Sequence, residues 1–202
     1  MWWHPMKMNP LMFNKLLTKL GVCGSWRFVD MLGLDEEDLS SVPLPCGTVI
    51  LRFLLTEQHE LFREEEEELV FGGLTVFFLR NKVVNSCGTV ALLHAFAKNS
   101  THMVVPWPVK KLDETYWMTP LNKAAHLEMN QATRDAGSKQ ITSNFHLTTF
   151  VKVNGILYEL DPRMERPVVN HGDTQDNSFI WDAARVCQEF VERERGRSTS
   201  LL

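Results

Sequence analysis

The sequence predicts a mixed domain of helices and sheet, α/β or α+β. Three observations carry this. Strand-length apolar runs stand at residues 49–55 and 74–79. Apolar residues recur at helical spacing in residues 11–20 and 179–195, and an apolar, alanine-containing stretch spans 89–99. Two further strand-like runs, 145–153 and 156–161, are separated by Asn154-Gly155, the strongest short hairpin signal, because a type I′ turn needs positive φ at both positions.

The elements follow in order. Asn9-Pro10 starts a helix, with Asn as cap and Pro at the first helical position, and Gly21 stops it. Trp26, Phe28, Val29, Met31 and Leu32 form a dense apolar patch before an acidic turn at 35–38. Residues 49–55 read as a buried strand and 56–69 as a helix. The run of glutamates at 64–68 reads as a solvated face, since like charges repel. Gly72-Gly73 breaks the chain before a second buried strand at 74–79. The stretch 100–140 is irregular, with a helix around 121–132, and 131–143 reads as a long polar loop. There is no repeat and no linker, so residues 1–202 are expected to form one domain.

Composition narrows the function. Of 202 residues, 44% are apolar and 23% charged, the balance of a folded globular chain. A net charge of −4 gives no general attraction to nucleic acid or anionic membrane. No apolar stretch approaches the roughly 18 residues a membrane helix needs, and the start lacks a signal-peptide core. The four cysteines, Cys23, Cys46, Cys87 and Cys187, are too scattered for a disulfide scaffold or a zinc site. Free thiols in a cytoplasmic setting, with no metal and no cofactor, are expected.

Cys87 stands out. It lies at the start of the 89–99 helix, where the partial positive charge stabilises a thiolate and lowers its pKa. The unpaired N–H groups of the first turn can also hold an oxyanion. The bland alternative is a buried structural cysteine. The hairpin supplies a partner. With Asn154-Gly155 as the turn, Val153 pairs with Ile156, so Asp161 opposes Thr148. His146 is then its diagonal neighbour on the same face. Such a His–Asp pair orients an imidazole and stabilises its cation.

Asn85-Ser86-Cys87-Gly88-Thr89 resembles the active-site motif of the ubiquitin carboxyl-terminal hydrolases. Asn144-Phe145-His146 and Leu157-Tyr158-Glu159-Leu160-Asp161 resemble that family's His and Asp motifs. Trp26-Arg27-Phe28-Val29-Asp30, Gln58-His59-Glu60, Phe62-Arg63 and Asn170-His171-Gly172 match as well, and the likeness covers roughly residues 5–195. The resemblance implies a papain-like α+β fold, a mostly antiparallel sheet flanked by helices, and a knotted backbone. It implies thiol-dependent cleavage of small adducts from the C-terminal glycine of ubiquitin. Cys87 would be the nucleophile, His146 the general base and then acid, and Asp161 the orienting group. Asn81 would serve the oxyanion and Asp30 would contact ubiquitin. Residues 131–143 would be a size-screening crossover loop.

Several positions depart from the family pattern. Asn81 stands where the family has the longer Gln, Val83-Val84 where it has Ile-Gly, and Pro162 where it has Gly. Proline's fixed φ could re-aim Asp161. The family's apolar C-terminal strand is missing or vestigial in 196–202, which predicts lowered stability. These departures keep two other readings in play: a ubiquitin-binding protein with weak or no catalysis, and a poorly folded relative.

Overall fold

The computed structural model describes residues 9–19, 25–67, 76–81, 86–99, 145–164 and 168–195. Five helices and four strands are described: α1 (Pro10–Lys19), α2 (Glu36–Ser40), β1 (Thr48–Leu54), α3 (Glu57–Glu67), α4 (Cys87–Asn99), β2 (Phe145–Val153), β3 (Ile156–Leu160), β4 (Val168–Asp173) and α5 (Phe179–Arg195). The strands form one antiparallel sheet in the order β1-β2-β3-β4.

The hairpin carries the register of the sheet. Asn154 and Gly155 take φ of 52° and 80°, the positive values a type I′ turn demands. Val153 faces Ile156, and the pairing runs unbroken to Thr149 opposite Leu160, as the turn predicts. β1 adds to the free edge of β2, with Phe53 opposite His146 and Val49 opposite Phe150. β4 pairs with β3 through a bulge near Tyr158. That strand was not expected, because only the short Val168-Val169 run hints at it.

Helices cover the sheet. Val49, Phe150 and Leu157 from three adjacent strands meet Phe179, Ala183, Val186, Cys187 and Phe190 of α5 in one core cluster. Leu147 and Val151 alternate to the other side of β2 and are also buried. α4 packs against β2 and is buried continuously from Gly88 to Phe96. A helix apolar all round belongs in the interior. Its last residue, Asn99, ties it to the sheet by donating to Thr48 Oγ1 at 2.8 Å.

Helix starts follow the local chemistry. Asn9 Oδ1 accepts from Met12 N at 2.8 Å, and Thr56 Oγ1 accepts from His59 N at 3.1 Å. The expected acidic turn at 35–38 is in fact the start of α2. Asp35 caps it by accepting from Asp38 N at 2.9 Å, and the acids of its first turn suit the positive end of the helix. A second correction concerns 74–79: its described part, from Val76 on, is not a strand. The Leu79 N–H donates to His94 Nε2 at 2.9 Å, so a side chain takes the place of a sheet partner. The expected helix at 121–132, the polar loop at 131–143, Val83-Val84 and the tail at 196–202 lie outside the described residues. The backbone path that a knot would require also runs through undescribed segments.

Candidate active site

Cys87 is the first residue of α4 and is half-buried. The helix start contributes as expected: backbone N–H groups of Gly88 and of Cys87 itself favour the thiolate, as does the positive charge of Arg52. Burial outweighs them, and the Asp161 carboxylate adds to it, so the thiol pKa is pushed up rather than down. This corrects the sequence expectation. The resting group is a thiol, and a base is needed to ionise it.

A His–Asp pair lies on the hairpin, and its Asp161 carboxylate is near enough to act on the Cys87 thiol electrostatically. His146 Nε2 and Asp161 Oδ1 are 2.7 Å apart, both buried, at the diagonal position the hairpin register predicts. Pro162 does not turn Asp161 away: the carboxylate also accepts from Arg163 N at 2.9 Å. Burial works against the ionised form of Asp161, but hydrogen bonding to His146, the His146 charge and the Arg63 charge more than offset it and hold its pKa at about 2. Asp161 is therefore a carboxylate that can only accept, so His146 Nε2 carries a proton towards it. Phe53 packs edge-on against the His146 ring, with centroids 5.5 Å apart, and limits its rotation.

Asn81 lies just before α4. Its N–H donates to the Pro162 carbonyl at 2.6 Å, and its Oδ1 accepts from the Ser86 hydroxyl. The two contacts anchor it between the Asp161 segment and the start of α4. Asp30 is exposed on the 25–35 segment. There it lines a groove with Phe13, Trp26 and Met31 that runs along β1; none of Cys87, His146 and Asp161 lines that groove. The structure thus brings Cys87, His146, Asp161 and Asn81 to one end of the sheet, and leaves Asp30 on a separate surface. Leu32 beside it is 86% exposed, so the apolar patch of this segment faces outward in part.

Behind the His–Asp pair lies a buried charged cluster that the sequence reading assigned no role. Arg63 of α3 forms an ion pair with Glu159, and its Nε lies 3.6 Å from Asp161 Oδ2. Arg63 Nε also donates to His59 Nε2 at 3.3 Å. Burial and the Arg63 charge lower the His59 pKa to about 4, so that ring is neutral and can accept. Glu159 further accepts from Thr148 Oγ1 at 3.1 Å and pairs with His171 Nε2 at 3.0 Å. The signal for this cluster was present: Glu159 and Asp161 are two residues apart, hence on one strand face, and that face is buried. Two buried carboxylates side by side require a cation. Among the described residues no group of three or more His, Cys, Asp and Glu side chains is arranged to hold a metal.

Comparison with known proteins identifies the family. The family model "ubiquitin carboxyl-terminal hydrolase, family 1" matches residues 3–192. Ubiquitin carboxyl-terminal hydrolase isozyme L1 of Homo sapiens is 45% identical over 207 residues, spanning 95% of this chain and 92% of its own length. The Bos taurus isozyme L1 is 40% identical over 236 residues, spanning 95% and 93%. Among solved structures, the catalytic domain of Trichinella spiralis UCH37, bound to ubiquitin vinyl methyl ester, superposes with a TM-score of 0.69 at 20% identity. That match covers 94% of this chain and 88% of that one, and it shows the shared papain-like fold. By the extent of the family match and the identity to these relatives, the chain belongs to ubiquitin carboxyl-terminal hydrolase family 1.

Proposed function

We propose that this protein is a thiol-dependent deubiquitinating hydrolase that cleaves small adducts from the C-terminal glycine of ubiquitin. Cys87, His146 and Asp161 act as its triad. Residues 1–202 are read as one catalytic domain, acting in the cytoplasm without metal or organic cofactor. The observation that carries the reading is the 2.7 Å contact between His146 and an ionised Asp161, whose charge is felt by a cysteine at a helix start.

The chemistry follows from the protonation states. Asp161 fixes the Nε2–H tautomer, so Nδ1 takes the proton from the Cys87 thiol. The thiolate then attacks the scissile glycine carbonyl and an oxyanion develops. The N–H groups at the start of α4 and the Asn81 amide are the proposed donors to it. With Asn81 Oδ1 engaged by Ser86, Nδ2 is the end that donates. His146 returns its proton to the leaving amine or alcohol, which departs and leaves a thioester on Cys87. Water, deprotonated by His146, hydrolyses the thioester and frees the ubiquitin carboxylate. Because the resting thiol is not ionised by its surroundings, activation depends on the His146–Asp161 pair.

Ubiquitin is the proposed partner, with Asp30 on its contact surface. This is supported by the family and by the ubiquitin adduct borne by the structural relative. The test is cleavage of a ubiquitin C-terminal coumarin amide, together with labelling by ubiquitin vinyl methyl ester. Wild-type protein is expected to turn over and to be labelled. Cys87→Ala is expected to do neither while still binding ubiquitin. Turnover that survives Cys87→Ala overturns the assignment. Binding without labelling by the wild type would instead favour a ubiquitin-binding protein that lacks catalysis.

A further inference from the structure

The cluster behind the triad contains more charge than the reaction consumes. Glu159 and Asp161 project from one face of β3 and its continuation, and both are essentially fully buried. Like charges so placed disfavour each other's ionisation, and burial disfavours both. Left alone, the pair would hold a shared proton. A protonated Asp161 is a poorer partner for the imidazolium that forms at His146. The charged and titratable groups facing this pair come from every neighbouring element. α3 supplies His59 and Arg63, β2 supplies His146, and β4 supplies His171. On α4, Cys87 and His94 both sense the Asp161 charge, and on α5 Cys187 senses that of Glu159. On α5, Arg193 stacks over Phe62 and Phe190, close to Arg63, which lies 5.2 Å from the Phe190 ring centre. Among these described residues, Arg63 pairs with both carboxylates.

We propose that Arg63 is a positioning residue for the reaction: its one guanidinium spans Glu159 and Asp161 and keeps both ionised, so that Asp161 can hold the His146 imidazole. The inference rests on the triad proposed above. His59 takes part as a neutral acceptor that fixes Arg63 Nε. Thr148 and His171 supply the remaining donors to Glu159, so the guanidinium need not leave Asp161 to satisfy it. Arg63 touches no reacting atom. Its effect is on the charge of Asp161, and through it on proton transfer at His146.

The test is kcat and KM for the ubiquitin coumarin amide across about pH 3.5 to 9, a range that reaches a carboxylate raised from about 2 by the loss of its cation. In Arg63→Met, kcat at about pH 4 is expected to fall about 10-fold, and kcat at neutral pH by much less, with little change in KM. Its acid limb is expected to move up by about 1 to 3 units, the range an adjacent cation commonly commands. Adding Glu159→Gln to Arg63→Met removes the competing charge, and is expected to return the limb towards its original position and recover part of kcat. A merely structural arginine would give neither the moved limb nor the recovery. Arg63→Lys keeps a cation too compact to bridge both groups and is expected to move the limb by a smaller amount. It carries the test should Arg63→Met not fold. Folding is checked by circular dichroism melts. An acid limb that stays in place in every folded Arg63 variant overturns the proposal. If Cys87→Ala remains active, the triad reading fails; if it is dead while Arg63→Met behaves as wild type, only the role of Arg63 fails.

Discussion

Asn81 shows how much can turn on one methylene. It occupies the place where the family pattern has the longer Gln, yet it is not loose: its N–H is held by the Pro162 carbonyl and its Oδ1 by Ser86. The shorter amide is compensated by anchoring, and the anchor is the very proline that departs from the family pattern. Asn81→Ala is therefore expected to lower kcat by about 10²–10³ with a much smaller change in KM, the cost of removing one oxyanion donor. Steady-state kinetics on the ubiquitin coumarin amide checks this; an unchanged kcat would leave the oxyanion to the α4 backbone alone. The same scale shows where residue-level rules compete. The helix start at Cys87 was visible in the sequence, but burial was not, and burial sets the net direction of its pKa.

The β2–β3 hairpin is the element on which the site depends. On their α5-facing side the buried alternate residues of β2 and β3 belong either to the core or to the charged cluster, while Lys152 near the turn pairs with Asp176. Thr148, Phe150, Leu157 and Glu159 share that face with His146 and Asp161. A slip by one residue would send His146 to the opposite side of the sheet. Gly155, at φ 80° and with open space where a Cβ would stand, permits the turn without crowding. Gly155→Val is expected to destabilise the fold by about 1–2 kcal/mol, because a β-branched residue resists positive φ. Activity should fall further than the loss of folded protein explains if register is disturbed; comparing the thermal melt with kcat separates the two effects. This hairpin was the most legible part of the chain. Its turn dipeptide sets the pairing, and the pairing puts His146 diagonal to Asp161. β4 and the Arg63 cluster were less legible for a physical reason. The Arg63 cluster joins residues far apart in sequence, 96 in the case of Arg63 and Glu159, and local patterning has no information about such pairs. β4 lies only 9 to 17 residues from its partners in β3, but its one strand-like run is the short Val168-Val169. The 74–79 segment misled because an apolar β-branched run looks the same whether its N–H groups meet a strand or, as at Leu79, a histidine ring.

At the scale of the whole molecule, buried histidines tie stability to pH. His94 is fully buried on α4, stacked on Phe78, and burial lowers its pKa to about 3; His59 is lowered to about 4. Both lie below the ordinary value of 6.5, so the unfolded chain binds protons that the folded one refuses. Stability should therefore be fully present above about pH 6.5 and decline as pH falls towards 4 and 3. For His94 the limiting slope is about 1.4 kcal/mol per pH unit. Asp161, depressed to about 2 from 3.8, adds a further loss below about pH 4. Calorimetry at successive pH values reads this directly; a melting temperature unchanged between neutral pH and about pH 5 would contradict it.

The core offers a different kind of readout. Cys187 lies at the centre of the α5–sheet cluster, with no measurable exposure and a thiol pushed up to about 12, whereas Cys46 and Cys87 are only half-buried. A thiol-directed reagent can reach Cys187 only when α5 lifts from the sheet. Its rate of modification should therefore track the fraction of molecules that open, divided from the intrinsic chemistry by the opening equilibrium. The protein thus carries its own clock for core breathing. Mass spectrometry after timed alkylation would read it without any introduced label, under the same conditions in which ubiquitin is added or withheld.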